Sequence, residues 1–236
     1  MTEKVKIVTL GCEKNLVDSE IMSGLIDQRG YSLVDNREDA TVIIVNTCGF
    51  IDAAKEESVN TILELADLKE SGRLKALIVS GCLTQRYKQT LMEEMPEIDG
   101  IVGTGDFHHI NRIVDEALKG KKPALVGNPV FNYEQALPRK LSTARYTTYV
   151  KIAEGCDNNC TFCSIPIMRG KFRSRSMESI LEEVRSMAAQ GVKEISLIAQ
   201  DSTNYGTDLY GEFKLAELMD RVTRVDGIEW VRLHYA

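Results

Sequence analysis

Short apolar runs alternate with longer amphipathic stretches through the first half of the chain, and this alternation constrains the fold more than any other feature of the 236 residues. Val5 to Leu10 reads as a strand, followed by a helical pattern from Leu16 to Gln28 that stops at Gly30. Thr41 to Val45 precedes a helix over about Ala53 to Leu68, and Ala76 to Val79 precedes one over about Gln85 to Glu94. Ile98 to Val102 then leads into Phe107 to Leu118. Strands alternating with helices close into βαβ crossovers, so the expectation is an α/β fold with an open parallel sheet covered on both faces. From Gly120 to Arg145 the pattern dissolves into a stretch holding three of the five prolines. The expected organisation is a domain over residues 1–121, a connection over 122–141 with room for one short strand, and a second α/β region over 142–236. In that region Thr147 to Ile152, Val192 to Ala199 and Trp230 to Ala236 are predicted strands, with helices over about Met177 to Gln190 and Lys214 to Val225.

Composition narrows the setting. Hydrophobic residues at 43% and charged residues at 27% exclude a disordered chain. No apolar run approaches the roughly 20 residues that cross a bilayer, and the start MTEKVK has no apolar core of a leader, so a cytoplasmic protein is expected. The six cysteines, Cys12, Cys48, Cys82, Cys156, Cys160 and Cys163, are then better explained by metal binding or catalysis than by disulfides. The net charge of −6 hides an asymmetry. Between Pro138 and Arg175 eight basic residues face only Glu154 and Asp157, giving that stretch +6 and the remainder −12.

Cys156, Cys160 and Cys163 form CxxxCxxC directly after a predicted strand. Such spacing lets one loop wrap its thiolates around a compact iron–sulfur centre, and three thiolates on a four-iron cluster leave one iron free to bind a ligand. A zinc knuckle is the plainer alternative, but structural zinc takes four ligands in paired short spacings, and no histidine lies nearby. Cys12, Cys48 and Cys82 lie 36 and 34 residues apart, about one βα unit, too far for a single loop. Each falls at the carboxyl end of a predicted parallel strand, the edge at which open α/β sheets bind ligands. A lone cysteine there is commonly a small buried hydrophobe; three at the same topological position point to one shared site. The adjoining Gly11, Gly49 and Gly81 are read as leaving room for a bulky group.

CDNNCTFC, with an aromatic residue before its last cysteine, resembles the signature of the radical S-adenosylmethionine (radical SAM) superfamily, and the first 120 or so residues resemble the amino-terminal domain of its methylthiotransferases. The resemblance implies flavodoxin-like βα units followed by the first half of a partial (β/α) barrel. It implies two 4Fe–4S clusters, one on Cys156, Cys160 and Cys163 and an auxiliary one on Cys12, Cys48 and Cys82. Two S-adenosylmethionine molecules then serve as methyl donor and as source of a 5′-deoxyadenosyl radical, which removes hydrogen from an inert carbon that no protein base deprotonates. Phe162 is implied beside the adenine, and Gln200 with Asp201 at a cofactor-holding strand end.

GCEKNLVDSE, SGCLTQRY, CSIPIMRGKFRSR and VRLHYA resemble the members that methylthiolate the β-carbon of an aspartate in ribosomal small-subunit protein twelve. Members acting on transfer-RNA adenosine tend to read GCQMN at the first cysteine; that substrate and a non-catalytic iron–sulfur electron carrier are the alternatives. Implied partners are the ribosomal protein, an electron donor such as flavodoxin and ribosomal RNA, with no membrane and a monomeric chain. Arg169, Lys171, Arg173 and Arg175 fit a cofactor carboxylate, an acidic substrate or RNA phosphates, or simply a solvated loop. His108, His109 and His234 are assigned no role. Because the family's barrel has further strands and a TRAM-like β domain usually follows it, the chain is expected to be truncated at its carboxyl end and inactive by itself.

Overall fold

The computed structural model describes residues 2–132, 134 and 137–236. The chain forms two compact units, Met1–Pro129 with Pro138–Lys140, and Val130–Leu137 with Leu141–Ala236.

The first unit runs β1 (Lys4–Thr9), α1 (Glu13–Arg29), β2 (Ser32–Leu33), β3 (Val42–Thr47), α2 (Asp52–Glu70), β4 (Ala76–Gly81), α3 (Cys82–Glu94), β5 (Gly100–Val102), α4 (Ile110–Ala117) and β6 (Ala124–Leu125). Its strands form one parallel sheet in the order β2-β1-β3-β4-β5-β6. The central strands VIIVNT and ALIVSG are buried at every position, because helices cover both faces and every side chain meets a core. Ile43, Val45, Leu77 and Val79 pack there with Ile62 and Leu65 of α2. Each such side chain contributes about 1.5–3 kcal/mol by leaving water. Helix α1 ends where Gly30, at φ +94°, turns its N–H back onto the Ile26 and Asp27 carbonyls. The sheet order reverses at β1, so the connections from β1 and β3 depart in opposite directions from their carboxyl ends, the edge at which such sheets bind ligands.

Two short strands lack any readable period: β2 at one edge, and β6, which lies within the stretch read as a connection. Of that stretch, residues 133, 135 and 136 lie outside the described residues.

The second unit runs β7 (Thr147–Lys151), β8 (Ala153–Glu154), α5 (Ile165–Arg169), β9 (Arg173–Ser174), α6 (Met177–Ala189), β10 (Glu194–Ile198), α7 (Leu215–Thr223) and β11 (Trp230–Leu233). β7, β10 and β11 form a parallel sheet with β10 in the centre, and β8 pairs antiparallel with β9. The Ser176 hydroxyl caps α6 by accepting from the Ser179 N–H at 3.3 Å. Val150, Ile180, Val184, Ile195, Leu197 and Leu218 fill the core between sheet and helices. Among the described residues no helix is long and apolar enough to cross a membrane.

Candidate metal centres

In the first unit β1, β3 and β4 end level with one another, with Thr9 opposite Asn46 and Thr47 opposite Gly81. The three cysteines emerge from these ends. Cys12 is the N-cap of α1, Cys48 follows β3 directly, and Cys82 is the first residue of α3. Two of the sulfurs thus sit at helix amino termini, where free backbone N–H groups favour negative charge. Cys82 is buried, and Cys12 and Cys48 are half-buried.

The loops approach closely enough to require glycine. A Cβ on Gly11, at φ +86°, would lie 2.7 Å from the Cys48 Cβ and 3.2 Å from its sulfur. One on Gly81, at φ +95°, would meet the Asn46 Oδ1 at 2.4 Å and the Thr47 carbonyl at 2.5 Å. These glycines therefore let one loop pack upon the next; the space a side chain would take is already filled by protein.

Three residues that the spacing does not single out hold the loops. The buried Asn15 donates from Nδ2 to the Leu10 and Thr47 carbonyls, each at 2.9 Å, while its Oδ1 lies 3.9 Å from the Cys82 sulfur. The Ser58 hydroxyl accepts from the Cys48 N–H at 3.2 Å and donates to the Cys48 carbonyl at 2.9 Å. Arg86 donates to the Gly49 carbonyl at 2.9 Å. In the sequence Asn15 and Ser58 look like ordinary solvated helix positions; only their complete burial sets them apart.

In the second unit the cysteine loop leaves β8 and returns through α5 to β9. Gly155, at φ +74°, lies so close to the Gly170–Lys171 backbone that a Cβ would fall 2.0 Å from the Lys171 carbonyl. The Cys156 N–H donates to the Gly170 carbonyl at 3.1 Å, and the Asp157 carboxylate accepts from the Phe172 N–H at 3.0 Å. A turn brings the Cys163 N–H to the Cys160 carbonyl at 3.0 Å. Cys160 is exposed, Cys156 and Cys163 are half-buried, and Phe162 is 85% exposed. Asn158 of this loop donates to Asp201 at 3.0 Å, which ties the loop to the carboxyl end of β10. The neighbouring Gln200 Oε1 is buried with no hydrogen-bond partner among the described residues.

The basic stretch is not uniformly a solvated loop. Lys151, Arg169 and Arg175 are almost wholly buried. The Glu154 carboxylate contacts the Lys151 ammonium and lies 3.5 Å from the Arg169 guanidinium. Burial alone would raise that carboxyl, but the Lys151 charge and then the Arg169 charge overcome it and hold the group well below the usual range. Arg175 donates to the Lys151 carbonyl at 2.8 Å, to Glu183 at 2.5 Å and to the Ser179 hydroxyl at 2.9 Å. Of the four basic residues between 169 and 175, Lys171 alone is exposed, with Arg173 half-buried. Arg139 belongs to the first unit, where it grips the buried Glu20 carboxylate at 2.6 and 2.8 Å.

Among the described residues no three His, Cys, Asp or Glu side chains gather as a single-ion site. A donor set of three thiols, with no carboxylate or imidazole among them, suits iron–sulfur chemistry. The helix termini around Cys12 and Cys82, and the unpartnered Gln200 oxygen beside the loop of Cys156, fit an anionic cluster at the first site and a polar ligand near the second.

Residues 4–103 match the family described as Uncharacterized protein family UPF0004, and residues 150–234 match the Radical SAM superfamily. The ribosomal protein uS12 methylthiotransferase RimO of Heliobacterium modesticaldum is 54% identical over 235 residues, covering 100% of this chain and 51% of that protein. Its counterpart from Clostridioides difficile is 50% identical, covering 99% and 52%. Among solved structures, the radical S-adenosylmethionine methyltransferase TsrM of Kitasatospora setae, with cobalamin and a 4Fe–4S cluster bound, matches 95% of this chain and 53% of its own at a TM-score of 0.59 and 14% identity, a likeness of fold. The fold and the CxxxCxxC loop thus define a radical SAM protein. Over its whole length the chain is similar to radical SAM methylthiotransferases, and it spans about half the length of the curated relatives it matches.

Proposed function

We propose that this chain carries both iron–sulfur sites of a methylthiotransferase acting on the β-carbon of an aspartate in ribosomal small-subunit protein twelve, in the cytoplasm, with two S-adenosylmethionine molecules and two 4Fe–4S clusters. The observation that carries the proposal is the pair of three-cysteine sets, each on its own α/β unit and each next to strand carboxyl ends, in a chain half-identical to uS12 methylthiotransferases. When bound, one cluster supplies an electron for reductive cleavage of S-adenosylmethionine and the other a sulfur that accepts a methyl group.

Cys156, Cys160 and Cys163 hold the first of these and Cys12, Cys48 and Cys82 the second. Phe162 provides an apolar face for the adenine, and Gln200 and Asp201 provide polar contacts to the cofactor. The hydrogen bond from Asn158 to Asp201 keeps the cysteine loop against that strand end. Flavodoxin or a similar donor supplies electrons, and the exposed Lys171 is available to ribosomal RNA.

The test is mass spectrometry of ribosomal protein twelve and of transfer RNA from a strain lacking the gene. Loss of the methylthio group from the aspartate, restored by the gene, supports the proposal. Loss from transfer-RNA adenosine with the ribosomal protein unchanged overturns it.

A further inference from the structure

We propose that Asn15 is the positioning residue of the amino-terminal cysteine site, holding the loops of Cys12, Cys48 and Cys82 in one arrangement before and after a cluster binds. This rests on the assignment of an auxiliary cluster to those three cysteines.

The carboxamide reaches all three chain segments at once. Its Nδ2 donates to the carbonyl of Leu10, two residues before Cys12, and to that of Thr47, immediately before Cys48. Its Oδ1 faces the sulfur of Cys82 at 3.9 Å. Asn15 is itself fixed from below. Asn46 donates to its carbonyl at 2.8 Å and to the Ser19 hydroxyl at 3.0 Å, and Asn46 also fills the space under Gly81. Asn15 and Asn46 are both essentially inaccessible to water, so at the buried Thr47 carbonyl no solvent replaces a lost bond.

Few side chains other than asparagine satisfy this geometry. Two N–H bonds from a single nitrogen bridge the two carbonyls, and the amide oxygen completes the contact to the third loop. Aspartate would set a carboxylate against two carbonyl oxygens, and serine is too short to span them. Either change removes the donor that joins the buried Thr47 carbonyl to the half-buried Leu10 carbonyl. The two donor bonds do not involve sulfur, so they persist when Cys82 becomes a metal ligand. Groups in this position relative to a metal commonly alter affinity by about 10–100-fold.

The experiment uses the whole chain carrying Cys156→Ser, Cys160→Ser and Cys163→Ser, so that iron reports on the amino-terminal site alone. After anaerobic reconstitution this background should hold roughly four irons. Adding Asn15→Asp or Asn15→Ser should speed iron loss to a chelator by about 10–100-fold, and should change the electron paramagnetic resonance line shape of the reduced cluster, at a temperature where the metal-free variant stays folded by circular dichroism. Iron retention within about twofold of the background and an unchanged spectrum, in either folded variant, overturn the proposal, because 10–100-fold is expected. If both variants are unfolded without iron, Asn15 is support for the fold and the proposal also falls. A background that takes up no iron refutes the cluster assignment itself, a separate result.

Discussion

Replacing Glu154 with glutamine should unfold the second unit more readily than any change of surface charge. The Glu154 side chain is 8% exposed, and the two cations that share its Oε1, Lys151 and Arg169, are 0% and 3% exposed. Glutamine keeps the shape but leaves two buried positive charges without the carboxylate between them. Breaking a buried pair in this way costs about 3–5 kcal/mol, against less than about 1 kcal/mol for an exposed pair. With a urea dependence of about 2 kcal/mol per molar, the midpoint should fall by roughly 1.5–2.5 M. Fluorescence of Trp230, the single tryptophan, follows this unit. The effect has a definite pH dependence. Burial opposes ionisation, but Lys151 and Arg169 prevail and hold the Glu154 carboxyl at about 2, below its ordinary value of 4.5. A carboxyl depressed by folding stabilises the native state fully above its unfolded value and loses that contribution as pH falls toward the folded one. The gap between the parent and Glu154→Gln should therefore be full at pH 7 and narrow steadily below about pH 4.5. A gap under about 1 kcal/mol at pH 7, or one that does not change with acid, would refute the account of a buried ionic cluster.

Two glycines with almost the same positive φ but different ψ, Gly81 at −155° and Gly30 at 11°, should respond differently to alanine. Gly81→Ala forces a Cβ onto Asn46 and the Thr47 carbonyl, whereas Gly30→Ala meets nothing within 4 Å, so thermal denaturation should show a loss above about 2 kcal/mol for the first and about 1 kcal/mol for the second. Arg139→Met leaves Glu20 buried without its fork and should cost about 3–5 kcal/mol in urea unfolding of the first unit. Ser58→Ala removes both side-chain bonds to the Cys48 backbone. It should cost about 1–2 kcal/mol and raise the alkylation rate of Cys48 in the metal-free protein, measured by mass spectrometry.

The parallel sheet of the first unit is legible because its central strands are almost uninterrupted apolar runs, and the positions of Cys12, Cys48 and Cys82 follow from where those runs end. Helix α3 begins at Cys82, three residues before the expected Gln85, because the chain turns at Gly81 rather than where the apolar period starts. The clasp of β8 and β9 has only two residues in each strand and joins positions about twenty residues apart, so no local pattern announces it. Charge is the least readable property. Arg169 and Arg175 look like members of a solvated basic loop until Glu154 and Glu183 are brought against them, and a linear count of charge carries no information about such partners. The glycines beside the cysteines were recognisable as sites of close approach, but what approaches is a neighbouring loop.

Iron and acid-labile sulfide, measured per chain after anaerobic reconstitution, test the central claim most directly. The intact chain should hold roughly eight irons and eight sulfides, falling to about four of each when Cys12, Cys48 and Cys82 are replaced by serine, and likewise for Cys156, Cys160 and Cys163. Zinc in place of iron, or an iron content that one set of substitutions leaves unchanged, would contradict the assignment of two separate clusters.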